Sequence, residues 1–243
     1  MMNRPTAYRC IVGASQKGAL TIGAILYTSL SGFSEPAPII TFDAPGAGTG
    51  AGQGTFAVNL NEFGNAIGWF VDGNTAYHGF IRYPNGRVAT IDAPGAGATP
   101  GSGQGTLAYS INIEGRIAGQ YQDANYVYHC FVRSPDGQII SFDPPGAGTG
   151  PNQGSVAVDI NLEGTIAGYT VDNNNVLHGF LRSRWGSFTT FDAPNAGRGP
   201  FQGTVVTLES GLNPQGALIG WYYDANNAAH GYVRNRSGAI TSL

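Results

Sequence analysis

The sequence predicts an all-β protein: a β-propeller of four, alternatively five, four-stranded antiparallel blades. Three observations carry this. A repeat of about 50 residues fills the chain from residue 38 to 243. Gly and Pro number 38 and 14 among 243 residues, a load that works against helix interiors. After residue 37 no stretch keeps a 3.6-residue apolar period, whereas short apolar runs bounded by turn residues recur. The hydrophobic share of 42% is enough to build a core.

The repeat opens on Phe42-Asp43-Ala44-Pro45-Gly46-Ala47-Gly48 and returns at Asp92, Asp143 and Asp192, in steps of 49, 51 and 49 residues. Gln-Gly follows each copy, with Gln53, Gln104, Gln153 and Gln202. An Asn-x-x-Gly element comes next, at Asn61, Asn112, Asn161 and Asn213. Then come Asp72, Asp123, Asp172 and Asp224. Each is followed six residues later by one of the four histidines, His78, His129, His178 and His230. An Arg stands four beyond each His: Arg82, Arg133, Arg182 and Arg234.

Each unit divides into four strands. In the first unit they are residues 55–60, with Phe56, Val58 and Leu60 on one face, then 66–71, 77–83 and 87–91. The turn Asp72-Gly73-Asn74 and its relatives supply residues that tolerate positive φ, and Pro84-Asn85-Gly86 and Pro135-Asp136-Gly137 read as hairpin turns. On the third strand His78, Phe80 and Arg82 share one face, and Tyr77, Gly79 and Ile81 the other. Both faces carry apolar residues, so both need covering, and a meander stacked between copies of itself is a propeller blade. Strand four has five copies against four of the others; the extra ones are residues 39–42 and 239–243. One of them is expected to complete the last blade across a ring seam.

Residues 1–37 differ from the rest. Arg4, Arg9 and Lys17 precede an apolar run over residues 19–27, followed by small residues, the pattern of a secretory signal. The run is too short to span a bilayer comfortably, so membrane attachment would come only through this segment left uncleaved. The competing reading is a decayed repeat, since Gly18-Ala19-Leu20-Thr21-Ile22-Gly23 echoes Gly216-Ala217-Leu218-Ile219-Gly220. Past residue 37 nine Arg face fourteen Asp and Glu, with no basic stripe, which argues against a nucleic-acid partner. Two cysteines, Cys10 and Cys130, exclude a disulfide framework.

Asn112-Ile113-Glu114-Gly115-Arg116-Ile117-Ala118-Gly119 with His129-Cys130-Phe131, and the matching run from Asn161 to His178-Gly179-Phe180, resemble the bacterial extracellular repeat called the HAF family. The resemblance covers residues 38–243. It departs from the name-giving triplet at Gly79, Cys130, Gly179, Gly231 and Tyr232. It implies a secreted, propeller-like protein, extracellular or at the cell surface or periplasm, and it transfers no catalytic residue.

The Asp–His–Arg set is the sharpest constellation. Asp72 and His78 flank one hairpin turn, so their side chains are expected to meet, and likewise in the other units. Four equal copies favour a polar network that ties each blade over a ligand pocket in each. The four Gln are the polar groups of the long Gly-rich loops, as ligand contacts or as hydrogen-bond partners of the loop backbone. No nucleophile elbow, phosphate loop or complete calcium loop occurs, so no cofactor or metal is expected. The sequence therefore reads as a secreted non-enzymatic module that binds a partner or glycan through its inter-blade loops. A structural or surface-display protein without a small ligand is the alternative, and a propeller lyase or hydrolase the third reading.

Overall fold

Every repeat folds as an antiparallel meander, because its apolar runs are six or seven residues long and its turns leave only a few residues to reverse the chain. The structure, a computed structural model, describes residues 39–207 and 211–243. The first unit holds β1 (Gly54–Leu60), β2 (Ala66–Val71), β3 (Tyr77–Arg82) and β4 (Val88–Ile91). The second holds β5 (Gly105–Ile111), β6 (Ile117–Gln122), β7 (Tyr128–Arg133) and β8 (Ile139–Phe142). The third holds β9 (Gly154–Ile160), β10 (Ile166–Val171), β11 (Leu177–Arg182) and β12 (Phe188–Phe191). The fourth holds β13 (Gly203–Val206), β14 (Leu218–Tyr223), β15 (Ala229–Arg234) and β16 (Ile240–Ser242). Among the described residues there is no helix.

The sixteen strands form one hydrogen-bonded sheet. Its units join by a single parallel bridge each: Tyr77 N–H to Gln104 O, Tyr128 N–H to Gln153 O and Leu177 N–H to Gln202 O, all 2.8 Å. The bridge exists because the fourth strand is short. β4 covers β3 only from Gly79 to Arg82, which leaves the Tyr77 end for the next unit. Residues Thr41–Leu243 make one compact unit, and its sheet is not closed.

The larger apolar cores lie between units; a smaller one joins Phe70 and Phe80 of the first unit to Ala44 of the loop before it. Ile67, Ile81 and Ile91 of the first unit pack on Ala108, Ile111 and Phe131 of the second. Ala118, Cys130 and Val132 pack on Ala157, Ile160 and Phe180 of the third. Val156, Val158 and Ala167 pack with Val206, Leu212 and Tyr232 of the fourth. The aromatic two residues after each His is the central knob: Phe80, Phe131, Phe180 and Tyr232 are fully buried. Tyr232 takes the Phe position without penalty because its hydroxyl donates to the Val205 carbonyl at 3.1 Å.

Three sequence expectations change. The first strand does not alternate throughout. A β-bulge between Ala57 and Asn59, repeated between Ala108 and Ser110 and at the matching point of β9, inserts one residue and breaks the Phe56–Val58–Leu60 face. The positive φ of the Asp turns falls on Thr75, Tyr126, Asn175 and Asn227, one residue past the expected place. The Asp carboxylate fixes this turn from the side, since Asp72 Oδ1 accepts from the N–H groups of Asn74 and Ala76, each at 2.8 Å. Finally, residues 39–42 form no strand, while β16 completes the fourth unit from within that unit and bridges no seam. The signal and decayed-repeat readings of residues 1–37 lie outside the described residues.

Candidate functional site

The four histidines hold one position, the second residue of the third strand. In the first three units the ring Nδ1 lies 2.8 Å from a carboxylate fourteen residues further on: Asp92, Asp143 and Asp192. The hairpin Asp is a longer contact on the other side of the ring. His78 Nε2 is 3.7 Å from Asp72, His129 3.6 Å from Asp123, His178 3.6 Å from Asp172 and His230 3.4 Å from Asp224. Each of the first three imidazoles therefore bridges two carboxylates. The sequence reading found the hairpin Asp and missed the nearer one, although the fourteen-residue spacing from His to Asp was constant across those three units.

The arginines do not join this network. Arg82, Arg182 and Arg234 lie over the rings of Phe42, Phe142 and Phe191 at 5.0, 4.5 and 4.8 Å, the Phe that ends the preceding repeat. For Arg133 the equivalent residue is Ile91, which has no ring, and Arg133 donates to the Ser134 carbonyl. The Asp–His–Arg set thus separates into an imidazole–carboxylate bridge and a cation–π tie between units. The glutamines hold loop backbone. Gln53, Gln153 and Gln202 accept from the N–H groups of Gly50, Gly150 and Gly199 at 2.8–2.9 Å, and Gln104 pairs with Ser102. Among the described residues, no three His, Cys, Asp or Glu side chains are arranged to hold a metal ion.

The four sites are not equal, and the difference lies two residues before the hairpin Asp. Phe70, Tyr121 and Tyr222 stand there in three units, each stacked on its His at ring distances of 4.9–5.0 Å. In the third unit the residue is Thr170. The neighbouring loop reports the vacancy independently. A Cβ placed on Gly46 would lie 3.6 Å from Phe70, and one on Gly95 3.5 Å from Tyr121, whereas at Gly146 it would meet nothing within 4 Å. The result is an open cavity of about 410 Å³. Thr170 and Thr190 bring hydroxyls, Asp172, His178 and Asp192 the polar edge, and Pro145 with Phe191 the apolar wall. A second, smaller cavity of about 120 Å³ shares His178 and Asp192 and adds Arg198, which no other unit has at that place.

Electrostatics set the site apart as well. The hydrogen bond to Asp192 raises the His178 pKa above its ordinary value, against the opposing effect of burial. Burial also disfavours the Asp172 carboxylate, yet the N–H groups of Val176 and Asn174 and the imidazole outweigh it and hold the pKa below the usual range. The pocket therefore sets two acidic side chains, Asp172 and Asp192, around one imidazole, an acidic lining. In the loop that leads to β13, Phe201 sits at φ 61°, 66% exposed, where two of the other loops have Gly52 and Gly103. The signal for Thr170 lies in the aligned repeats as the one non-aromatic residue of a column that otherwise holds Phe70, Tyr121 and Tyr222.

No family model matches this chain, and no curated protein matches it. Among solved structures it is similar to an arginine-to-alanine triple mutant of AofleA from Arthrobotrys oligospora. The identity is 15%, the coverage 77% of this chain and 56% of that one, and the TM-score 0.46. The chain thus spans just over half the length of that relative.

Proposed function

We propose that this chain is a secreted, non-enzymatic binding module of the propeller type, built from repeats of the HAF kind, that takes a glycan in the open pocket of its third unit. The carrying observation is the loss of one aromatic plug: Thr170 opens a cavity where the other three units are filled. Its chemistry suits a sugar. Asp172 and Asp192 accept from hydroxyls, the two Thr hydroxyls accept or donate, and Phe191 offers an apolar surface to a ring C–H face. Oδ1 of Asp172 is occupied by two backbone N–H groups, so Oδ2, 3.6 Å from His178 Nε2, is the oxygen with lone-pair capacity left for a ligand. The acidic lining selects neutral or amino sugars and disfavours anionic ones. The other three sites keep the same His and hairpin Asp with the pocket filled, which supports a tying role for the shared residues and a binding role for the open copy. A place outside the cell or at its surface goes with this reading, in keeping with the signal-like pattern of residues 1–37.

The test is a glycan array with the full chain, followed by titration calorimetry of the best ligand. Thr170→Tyr refills the cavity and is expected to reduce affinity at least tenfold without lowering the melting temperature. Equal binding by this variant would overturn the third-unit pocket as the site, and no saturable binding at all would leave the display-protein alternative standing. Release of new reducing ends from a bound glycan would restore the hydrolase reading.

A further inference from the structure

The internal junctions are built from one set of contacts used three times, and the two outer faces of the assembly carry its unmatched halves. At each junction an Asn side chain donates to the next Asn carbonyl: Asn61 to Asn112, Asn112 to Asn161, and Asn161 to Asn213, at 3.1–3.2 Å. Each junction also has the bridge from the first residue of the third strand to the next Gln carbonyl. Among the described residues, Asn213 makes no such donation and Ala229 N–H reaches no Gln carbonyl. Among the described residues no carboxylate reaches His230 Nδ1. At the other end Asp43 is exposed and meets no imidazole, and the carbonyl of Gln53 takes no bridge from a third strand.

Burial follows the same division. Leu60 is 65% exposed, while its equivalents Ile111, Ile160 and Leu212 are 4–6% exposed. Ala57 is exposed where Ala108, Ala157 and Val206 are fully buried. On the far face Ile219 is 47% exposed where Ile67, Ala118 and Ala167 are fully buried. Each of these residues has the right chemistry for a junction and lacks only its partner.

We propose that a second copy of this chain docks head to tail, the first unit of one copy covering the fourth unit of the other. Leu60 and Ala57 of the one pack on Ile219 of the other. Asn213 donates to the Asn61 carbonyl, Ala229 N–H to Gln53, and Asp43 takes the Nδ1 side of His230. One local adjustment is needed, because Phe42 of the incoming copy takes the place of Leu243 beside Gly231. Leu243 is 81% exposed and lies outside β16, so the displacement breaks one backbone hydrogen bond, from its N–H to the Gly231 carbonyl at 2.8 Å, while Ile39 and Ile40 are exposed and outside any strand. The contact is heterologous: two different patches meet, and each copy keeps one of each.

Sedimentation velocity of the full chain over a concentration series tests this. The wild type is expected to gain mass with concentration. Leu60→Asp spoils every head and Ile219→Asp every tail, so each variant alone is expected to remain monomeric. Mixed in equal amounts, they retain one good tail and one good head, and are expected to form a dimer that grows no further. Asn213→Asp is a second probe, since the residue is exposed and its loss leaves the fold intact. A chain that stays monomeric at every concentration overturns the proposal and assigns the faces to another occupant, residues 1–38 included. So does assembly that either single variant leaves unchanged, or a mixture that fails to associate.

Discussion

Asp72, Asp123 and Asp172 divide their labour between two oxygens. One holds a hairpin turn through two backbone N–H groups, and the other faces an imidazole. Burial works against ionisation of all three, but those N–H groups and the imidazole outweigh it, so each pKa is lowered. In Asp224 the Ala228 N–H is the main cause of the same shift. A depressed carboxyl stabilises the fold above its ordinary value of 3.8, and that contribution disappears as pH falls through the lowered value. The raised His178 has the opposite sign: its contribution is complete below 6.5 and is lost as pH rises through the raised value. The melting temperature is therefore expected to be highest between about pH 4 and pH 6.5. Thermal melts from pH 2 to 9 check this, and His178→Gln is expected to flatten the alkaline limb; an unchanged limb would separate His178 from stability.

At the scale of the element, the sheet depends on a glycine in each second strand. Gly119 passes so close to β5 that an added Cβ would meet the Leu107 carbonyl oxygen and lie 2.8 Å from the Phe131 ring. Gly68, Gly168 and Gly220 face the same oxygen of their own first strands. This close approach is what lets the buried aromatic of the third strand lie flat across the second. Gly119→Ala is expected to cost about 3 kcal/mol, read as a lower midpoint in urea at an unchanged slope. The length of the fourth strand matters equally. At three or four residues it is a short edge, hard for another chain to extend, and it leaves the start of the third strand free to reach the next unit.

Across the whole molecule, stability belongs to junctions, since the three largest cores are shared between neighbouring units. Every residue of β9 is buried, whereas β1 and β16 are largely open. In a stack held by neighbour contacts, end units open before middle ones. Hydrogen exchange at low protein concentration is expected to be slowest in β9 and β10 and fastest in β1 and β16. Uniform protection along the chain would contradict a stack of coupled units. Head-to-tail docking adds a second signature, a rise in β1 protection with concentration that Ile219→Asp removes.

Much of this was legible in the residues alone. The 50-residue period, the four-strand division and the positions of all four histidines follow from repetition, Gly-rich turns and alternating apolar runs, because these are local and periodic. The central place of Phe80, Phe131, Phe180 and Tyr232 follows from apolar residues on both faces of the third strand. What remained hidden depends on spatial neighbours. The bulges arise from strand pairing. The arginines turn to the Phe of the preceding repeat because stacking brings them together, and Asp192 reaches His178 because β12 folds back along β11. The open pocket has its origin in one sequence difference, Thr170, but the two uncovered faces are decided in the tertiary structure, because a residue's exposure depends on which unit lies beside it: Leu60 and Ile111 hold the same place in the repeat and differ in having that neighbour.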